Sequence, residues 1–177
     1  NIMRNSLEYA HEKGDFDYLV LVPKSKNKPN TYAYFENGSS FLDRLDRYMF
    51  HRSINNPDGF LERRATKRIV NKIKAKCNEY ENLIVHLHNI HNAHIDLRIL
   101  FKFLAKEKRI KKVFYTLHDV WPFTGGCYAY NFIHCNEWEN GCKCSCCQNY
   151  DKKYFSVSKN YNLKRKYTCL FSKDKLT

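Results

Sequence analysis

Two apolar runs of this chain end in histidines, and these histidines are the main candidates for proton chemistry. The first run, LIVHLHNIH, carries His86, His88 and His91, and the second, VFYTLHD, ends in His118 and Asp119. An imidazole exchanges protons near neutral pH, so His118 beside a carboxylate is a candidate general base. In the structural alternative, His118 bonds to backbone at the end of a strand and Asp119 caps the next turn. The sequence alone leaves both interpretations open.

A parallel sheet would bring these histidines together. Runs typical of buried strands alternate with helical patterns along the chain, the strands at 18–22, 83–87 and 113–117 and the helices at 60–77 and 95–106. This alternation predicts an α/β fold with a Rossmann-like parallel sheet flanked by helices. In such sheets ligands bind outside the carboxyl ends of the strands. Neighbouring strands lie about 4.8 Å apart, so the ends that carry His88 and His118 can share one cleft.

Other elements are predicted from the spacing of apolar residues and from residues that end helices. The opening NIMRNSLEYAHEK has apolar residues at helical spacing and is followed by Gly14, a common helix terminator. Further helices are expected after Ser39 or Ser40 and over 159–171, whereas the tract 24–37, rich in Lys, Asn, Pro and Tyr, indicates an exposed loop. The core-facing positions of the 60–77 helix are predicted to be Ala65, Ile69, Ile73 and Cys77.

The composition is that of a folded, basic domain. Of its 177 residues 43% are hydrophobic, and 31 Lys and Arg against 18 Asp and Glu give a net charge of +13. Nucleic acid, an anionic membrane surface and a phosphate-bearing substrate all fit this charge. The basic residues lie between acidic and apolar positions, as on the solvated faces of ordinary helices. No apolar run approaches the roughly 20 residues that a membrane-spanning helix needs.

Six of the eight cysteines lie between Cys127 and Cys147. Local clustering of this kind indicates a metal site or a small cross-linked loop in a reducing compartment. The segment follows WPFTGG, where Gly125 and Gly126 can form either a nest of backbone amides for an oxyanion or sugar hydroxyl, or a plain tight turn.

These motifs, in this order, resemble the N-terminal domain of bacterial GT-B glycosyltransferases. HLHNIH, a following helix, TLHDVWPFTGGC and a segment with EWENGC are similar to LHNIH, TLHDCWAFTGHC, C-x-x-W-x-x-GC and CPQ in the capsular and colanic-acid-type, family-4-like enzymes. The resemblance covers most of the chain after about Ser40. It implies hexosyl transfer from a nucleotide-sugar donor to a glycan or lipid-linked acceptor in polysaccharide biosynthesis, with no metal ion needed for catalysis.

The resemblance also implies roles for individual residues. His118 and Asp119 would be catalytic and lie near the transferred sugar. The residues expected around the acceptor are His88, Asn89, His91, Thr124, Gly125 and Gly126. Gly126 stands where the family often has His, which is a departure from the pattern.

The cysteine-rich segment keeps part of the family pattern. Cys127, Cys135 and Cys142 match family cysteines, and Cys146 keeps the family's distance from Gln148. Four thiolates from one loop suit a tetrahedral structural zinc ion. A set of buried or reactive thiols, with or without a disulfide, is the alternative.

By the same resemblance, residues 1–177 are part of the acceptor-side domain, with a cysteine-rich insertion at 127–147. The family's first glycine-rich strand and its C-terminal donor domain are missing from this sequence, so we expect the isolated chain to be inactive or barely active. The expected location is cytoplasmic, with basic helices in peripheral contact with anionic lipid at the inner membrane face. The alternatives are a basic nucleic-acid-binding module and a zinc-binding module in which the cysteines are the functional part.

Overall fold

The computed structural model describes residues 2–14, 16–22, 30–34, 62–88, 90, 95–124, 136–141, 157–172 and 174–176. Within these ranges the chain is a mixed α/β protein with two short parallel sheets. The elements in chain order are α1 Ile2–Lys13, β1 Val20–Val22, β2 Thr31–Ala33, α2 Glu62–Glu79, β3 Leu83–His88, α3 Leu97–Lys106, β4 Ile110–Thr116, a 3-10 turn Trp121–Phe123 and α4 Val157–Thr168.

Strands β3 and β4 form the sheet that positions the histidines. They pair in parallel from Leu83 opposite Ile110 to His88 opposite Thr116, with one irregularity after Leu83. β-branched, aliphatic and aromatic residues favour the extended conformation in both segments. Helix α3 supplies the crossover that parallel pairing requires. Both strands therefore end at the same edge of the sheet.

One hydrophobic core joins this sheet to three helices. It contains the predicted inner face of α2, which is confirmed as buried, together with residues from α3, β3, β4 and α4. Its members are Ala65, Ile69, Val70, Ile73, Cys77, Leu87, Ile90, Leu100, Phe101, Leu104, Ile110, Val113 and Tyr167, with Tyr34 beside β2. On the opposite face of the β3–β4 sheet, Ile84 is 69% exposed and Phe114 is also exposed. The described helices thus cover one face of this sheet.

Helix α3 begins at a buried cap. Asp96, 1% exposed, accepts the backbone N–H groups of Arg98 at 2.9 Å and Ile99 at 3.3 Å. The Arg98 guanidinium pairs with the same carboxylate at 2.8 Å. The Asp96 N–H donates to the hydroxyl of Thr66 in α2 at 2.7 Å. The buried carboxylate is thereby satisfied and ties the start of α3 to α2.

The exposed loop that the sequence predicts over 24–37 is wrong for residues 31–34. Thr31–Ala33 form β2, which pairs in parallel with β1, and the adjacent Tyr34 is buried in the core. Arg68 of α2 donates to the Tyr34 carbonyl at 3.2 Å. The short segment TYAY has strand-forming residues, and the Lys, Asn and Pro around it conceal this local preference.

The remaining boundaries differ modestly from prediction. β1 covers three of the five residues predicted, and β4 begins at Ile110 instead of Val113 and ends before Leu117, which is exposed. The described residues show two separate two-stranded sheets, so the single Rossmann-like sheet stays a prediction. The helix expected after Ser39 or Ser40 lies outside the described residues.

After α4 the chain returns to the edge of β4. The Val113 N–H donates to the Lys175 carbonyl at 2.7 Å, and Leu176 forms a parallel bridge with Val113. The Lys175 ammonium donates to the carbonyls of Ala105 at 3.1 Å and Glu107 at 2.8 Å. These contacts satisfy carbonyls at the C-terminal end of α3, where a cation also complements the helix dipole.

Candidate functional site

The two strands bring His88 and His118 together at their carboxyl ends. His88 is the last residue of β3, and His118 follows the end of β4 by two residues. The distance from His88 Nδ1 to His118 Nε2 is 3.0 Å, and the ring centroids are 5.3 Å apart. One nitrogen must donate and the other accept, because a neutral imidazole carries a single N–H. The histidines predicted at neighbouring strand ends therefore meet in one site.

His86 lies on the same face of β3 as His88, as strand alternation predicts. The centroids of the two rings are 4.1 Å apart. His86 Nε2 lies 2.7 Å from the hydroxyl oxygen of Thr116, and the ring packs edge-on against Phe114 at 5.9 Å. These contacts give His86 a structural role beside the His88–His118 pair.

The environment of His86 and His88 favours uncharged imidazoles. Partial burial lowers the pKa of His86, and it also lowers the pKa of His88, with smaller contributions from a positive charge on His86 or His118. Desolvation disfavours the charged form of an imidazole, so the neutral form of His86 and His88 is favoured. A neutral imidazole is the form that accepts a proton from a substrate.

His88 has a second ring nitrogen that faces inward. Its Nε2 atom is buried and, among the described residues, has no hydrogen-bond partner. The His118 ring is its partner at Nδ1 and is itself exposed. His118 is therefore the member of the pair that solvent or a substrate can reach.

Asp119 contacts the turn that follows it. Its Oδ1 atom accepts the backbone N–H of Trp121 at 2.9 Å, at the start of the 3-10 turn. This is the contact that the structural interpretation of Asp119 predicts. Burial raises the pKa of the Tyr115 hydroxyl, and the negative charge of Asp119 raises it further. The carboxylate thus links the end of β4 to the turn.

Lys164 of α4 also binds this turn, through two backbone carbonyls. It is only 2% exposed, and its ammonium donates to the carbonyls of Trp121 at 2.5 Å and Thr124 at 2.9 Å. The ammonium also lies 3.4 Å from the centroid of the Trp121 ring. Thr124, expected near the acceptor, is itself buried. Sequence reasoning missed Lys164 because a lysine in a basic helix has the pattern of a solvated side chain.

A cleft of about 430 Å³ opens beside the turn. Its lining combines aromatic and aliphatic side chains with polar residues of α4, in a set made of Tyr115, Leu117, Pro122, Phe123, Tyr161, Lys164, Arg165, Thr168 and Leu176. His86, His88 and His118 do not line it. The cleft is therefore lined by the 3-10 turn, the end of β4, α4 and Leu176, and not by the three histidines.

The described part of the cysteine-rich segment packs on the same unit. Residues 136–141 form a turn in which the Trp138 ring meets Phe123 edge-on at 5.5 Å. Gly141 has a φ of +94°, a conformation that L side chains rarely adopt, and lies close to the Tyr161 ring. The segment therefore contacts both the 3-10 turn and α4.

Several predicted site residues lie outside the described ranges, namely Asn89, His91, Gly125, Gly126, Cys127, Cys135, Cys142 and Cys146. Within the described part of the chain, no group of three or more His, Cys, Asp or Glu residues is placed to hold a metal ion. Of the cysteines in that part, Cys77 is buried, Cys169 is exposed and both are free thiols. The zinc site and the full acceptor loop stay predictions.

Comparisons with the profiles of known protein families, with curated proteins and with solved structures found no match to the chain. None of the helices in the described ranges is long and apolar enough to cross a membrane.

Proposed function

We propose that this chain is the acceptor-side part of a GT-B glycosyltransferase that transfers a sugar from a nucleotide-sugar donor to a glycan or lipid-linked acceptor in bacterial polysaccharide biosynthesis. The observation that carries the proposal is the 3.0 Å contact between His88 and His118 at the carboxyl ends of two adjacent parallel strands. Ligands of open α/β sheets bind at that edge. The two motifs that resemble the family, LHNIH and TLHD, supply the two histidines.

In the proposed reaction, His118 accepts the proton of the acceptor hydroxyl. The hydroxyl oxygen bonds to the anomeric carbon of the donor, and the nucleoside diphosphate leaves with the electrons of the bond it breaks. For this role His118 keeps its own proton on Nε2, and this N–H donates a hydrogen bond to His88 Nδ1. His118 Nδ1 is then the basic nitrogen. His88 then sets the tautomer of His118, and it stabilises the imidazolium that forms.

Other parts of the proposal rest on the same resemblance. β1–β2 and β3–β4 would belong to one Rossmann-like sheet, with Asp119 and the loop around Gly125 near the acceptor. The Asp119 carboxylate orders the turn through Trp121, so its proposed contribution is to orient groups near the substrate. The nucleotide would be bound by the donor domain that the family places after this region.

Histidine side-chain NMR tests the proposal with soluble acceptor probes. Titration with p-nitrophenyl glycosides of glucose, galactose and N-acetylglucosamine should shift the His88 and His118 resonances saturably. His11 in α1 lies in a separate aromatic contact with Phe16 and Tyr18 and should not shift. The His118→Gln variant should lose the response at His88, and His11→Gln is the matched control. A folded wild-type chain whose His88 and His118 ignore all three glycosides would contradict the proposal.

We also propose a structural zinc ion in the cysteine-rich segment, held by Cys127, Cys135, Cys142 and Cys146. Metal analysis of protein purified under reducing conditions should give about one zinc per chain, as four thiolates bind one ion. Cys142→Ser should lower this content, whereas the exposed Cys169→Ser should leave it unchanged. Wild-type protein without stoichiometric zinc would favour the alternative of free or disulfide-linked thiols.

Contact with an anionic membrane is the remaining part of the proposal. Exposed lysines on α2, such as Lys67 and Lys74, project from the layer that covers the sheet. Each basic group near an anionic bilayer contributes about 1 kcal/mol. The chain should therefore sediment with phosphatidylglycerol vesicles at low salt and be released at high salt. Equal sedimentation with phosphatidylcholine vesicles would exclude this electrostatic contact.

A further inference from the structure

Lys164 is a buried cation whose ammonium contacts the backbone and an aromatic ring at the 3-10 turn. Its ammonium donates to two backbone carbonyls, those of Trp121 and Thr124, and lies over the face of the Trp121 ring. Transferring a charged amine out of water is unfavourable unless hydrogen bonds and other polar contacts replace its hydration. Carbonyl dipoles and the negative face of an indole supply that replacement. The side chain is thus built into the fold from α4 toward the 3-10 turn.

The two carbonyls bracket the turn. Trp121 is its first residue and Thr124 follows its last, so one ammonium closes the turn from both ends. The donors of a lysine are suited to this, because an ammonium can bond several acceptors at once. The Thr124 N–H also donates to the Trp121 carbonyl at 3.4 Å, a long contact that would hold the turn weakly by itself.

A single peptide segment connects this clamp to the histidine site. The Trp121 carbonyl accepts from Lys164, and the Trp121 N–H donates to the Asp119 carboxylate at 2.9 Å. Asp119 is adjacent to His118, whose Nε2 contacts His88 Nδ1 at 3.0 Å. A shift of Trp121 therefore moves the anchor of Asp119 and, with it, the backbone that carries His118.

We propose that Lys164 is a positioning residue that holds His118 against His88 by clamping the 3-10 turn between Trp121 and Thr124 onto α4. Its importance for sugar transfer rests on the proposed function. The geometric role does not, because it concerns only contacts within this chain.

A merely stabilising role for Lys164 makes a different prediction. In that case any substitution that loosens α4 should act in the same way as a substitution of Lys164. Tyr167 offers the comparison, because it is buried one turn further along α4 and packs in the hydrophobic core. Tyr167→Leu should lower the stability of the protein and leave the Lys164 contacts with Trp121 and Thr124 in place.

The experiment follows the His88 and His118 rings by NMR in four variants. Lys164→Met should abolish the ring-to-ring nuclear Overhauser effects between His88 and His118, and it should raise the pKa of His88 because its ring loses the neighbouring His118. Lys164→Arg should retain the Overhauser effects, since a guanidinium can also donate to both carbonyls. Lys166→Met, the same charge removal at an exposed site on α4, should match the wild type. Tyr167→Leu should lower the melting temperature and keep the His88–His118 contact.

Two results would overturn the proposal. One is a folded Lys164→Met variant with unchanged Overhauser effects and an unchanged His88 titration, and the other is an equal loss of contact in Tyr167→Leu. If Lys164→Met does not fold, the proposal is tested on the wild type by the exchange rate of the Lys164 ammonium protons. A clamped ammonium shows slowly exchanging Nζ protons in a ¹⁵N-detected spectrum, whereas protons in fast exchange with water contradict the clamp.

Glycoside binding separates this inference from the proposed function. If the wild type fails to bind the p-nitrophenyl glycosides but Lys164→Met still loses the His88–His118 contact, the glycosyltransferase proposal fails and the positioning role stands. If the wild type binds them and Lys164→Met binds equally well with its histidine contact intact, only the positioning role fails.

Discussion

Substitution of Asp96 should show how far the start of α3 depends on one buried carboxylate. Asp96 accepts two backbone N–H groups of the first turn and pairs with Arg98 while remaining 1% exposed. Asp96→Ala removes an N-cap, which costs about 1 kcal/mol. It also removes the partner of a guanidinium that is only 19% exposed, for which a charged hydrogen bond contributes about 2 kcal/mol. We therefore expect a loss of about 3 kcal/mol in the free energy of unfolding.

The matched variant Asp96→Asn keeps an oxygen that can accept from the helix and loses the charge. Its expected cost is about 1 to 2 kcal/mol, because the cap survives and the ion pair does not. Urea denaturation followed by circular dichroism measures both values, and Asp174→Ala, at an exposed aspartate, is the control with an expected change within about 0.5 kcal/mol. An Asp96→Ala variant as stable as this control would refute the reasoning. Equal losses in the Asn and Ala variants would show that the charge matters and the cap does not.

Three further predictions concern the pH response, the C-terminal segment and the core. Burial lowers the pKa of His88 in the folded chain, so its neutral ring contributes fully to the free energy of unfolding above the ordinary histidine pKa of about 6.5. This contribution should decrease as the pH falls from there through the lowered pKa of the folded chain. In urea titrations at about pH 7.5 and about pH 5.5, His88→Gln should reduce this pH-dependent loss, and an unchanged loss would assign it to other groups. Lys175→Met should lower the free energy of unfolding by about 2 kcal/mol, because two carbonyls at the end of α3 lose a charged donor. Lys108→Met, at an exposed site, should be nearly neutral. Equal urea midpoints for the two variants would contradict the capping role of Lys175. Leu104 is fully buried, so Leu104→Ala should lower the free energy of unfolding by about 3 kcal/mol in the same urea denaturation. A loss below about 1 kcal/mol would mean that the core closes around the space left by the side chain.

The sequence determined the elements whose pattern is local. In α2, the spacing of Ala65, Ile69, Ile73 and Cys77 identifies the buried face, because a helix returns to the same side every three to four residues. The same reasoning placed His86 and His88 on one side of β3. The alternation of strands and helices was enough to predict that the ends of β3 and β4 would be neighbours.

Short or weakly patterned segments were not determined in this way. β2 has only three residues, so alternation cannot be distinguished from chance, and its burial depends on the core that α2 provides. The pairing of β1 with β2 in a sheet separate from β3 and β4 is likewise not predicted, because each of these two strands has only three residues.

For the candidate site, the sequence by itself determined which residues can exchange protons and at which edge of the sheet they lie. Only the tertiary structure decided that His118 bonds to the His88 ring, that Asp119 anchors Trp121 and that Lys164 is buried beneath the turn. The physical reason is that side-chain type and periodicity are encoded within a few residues. The partner of a polar side chain can instead lie 30 or more residues away, as for His88 with His118 and Lys164 with Trp121, and a solvated lysine and a clamped lysine have the same local pattern.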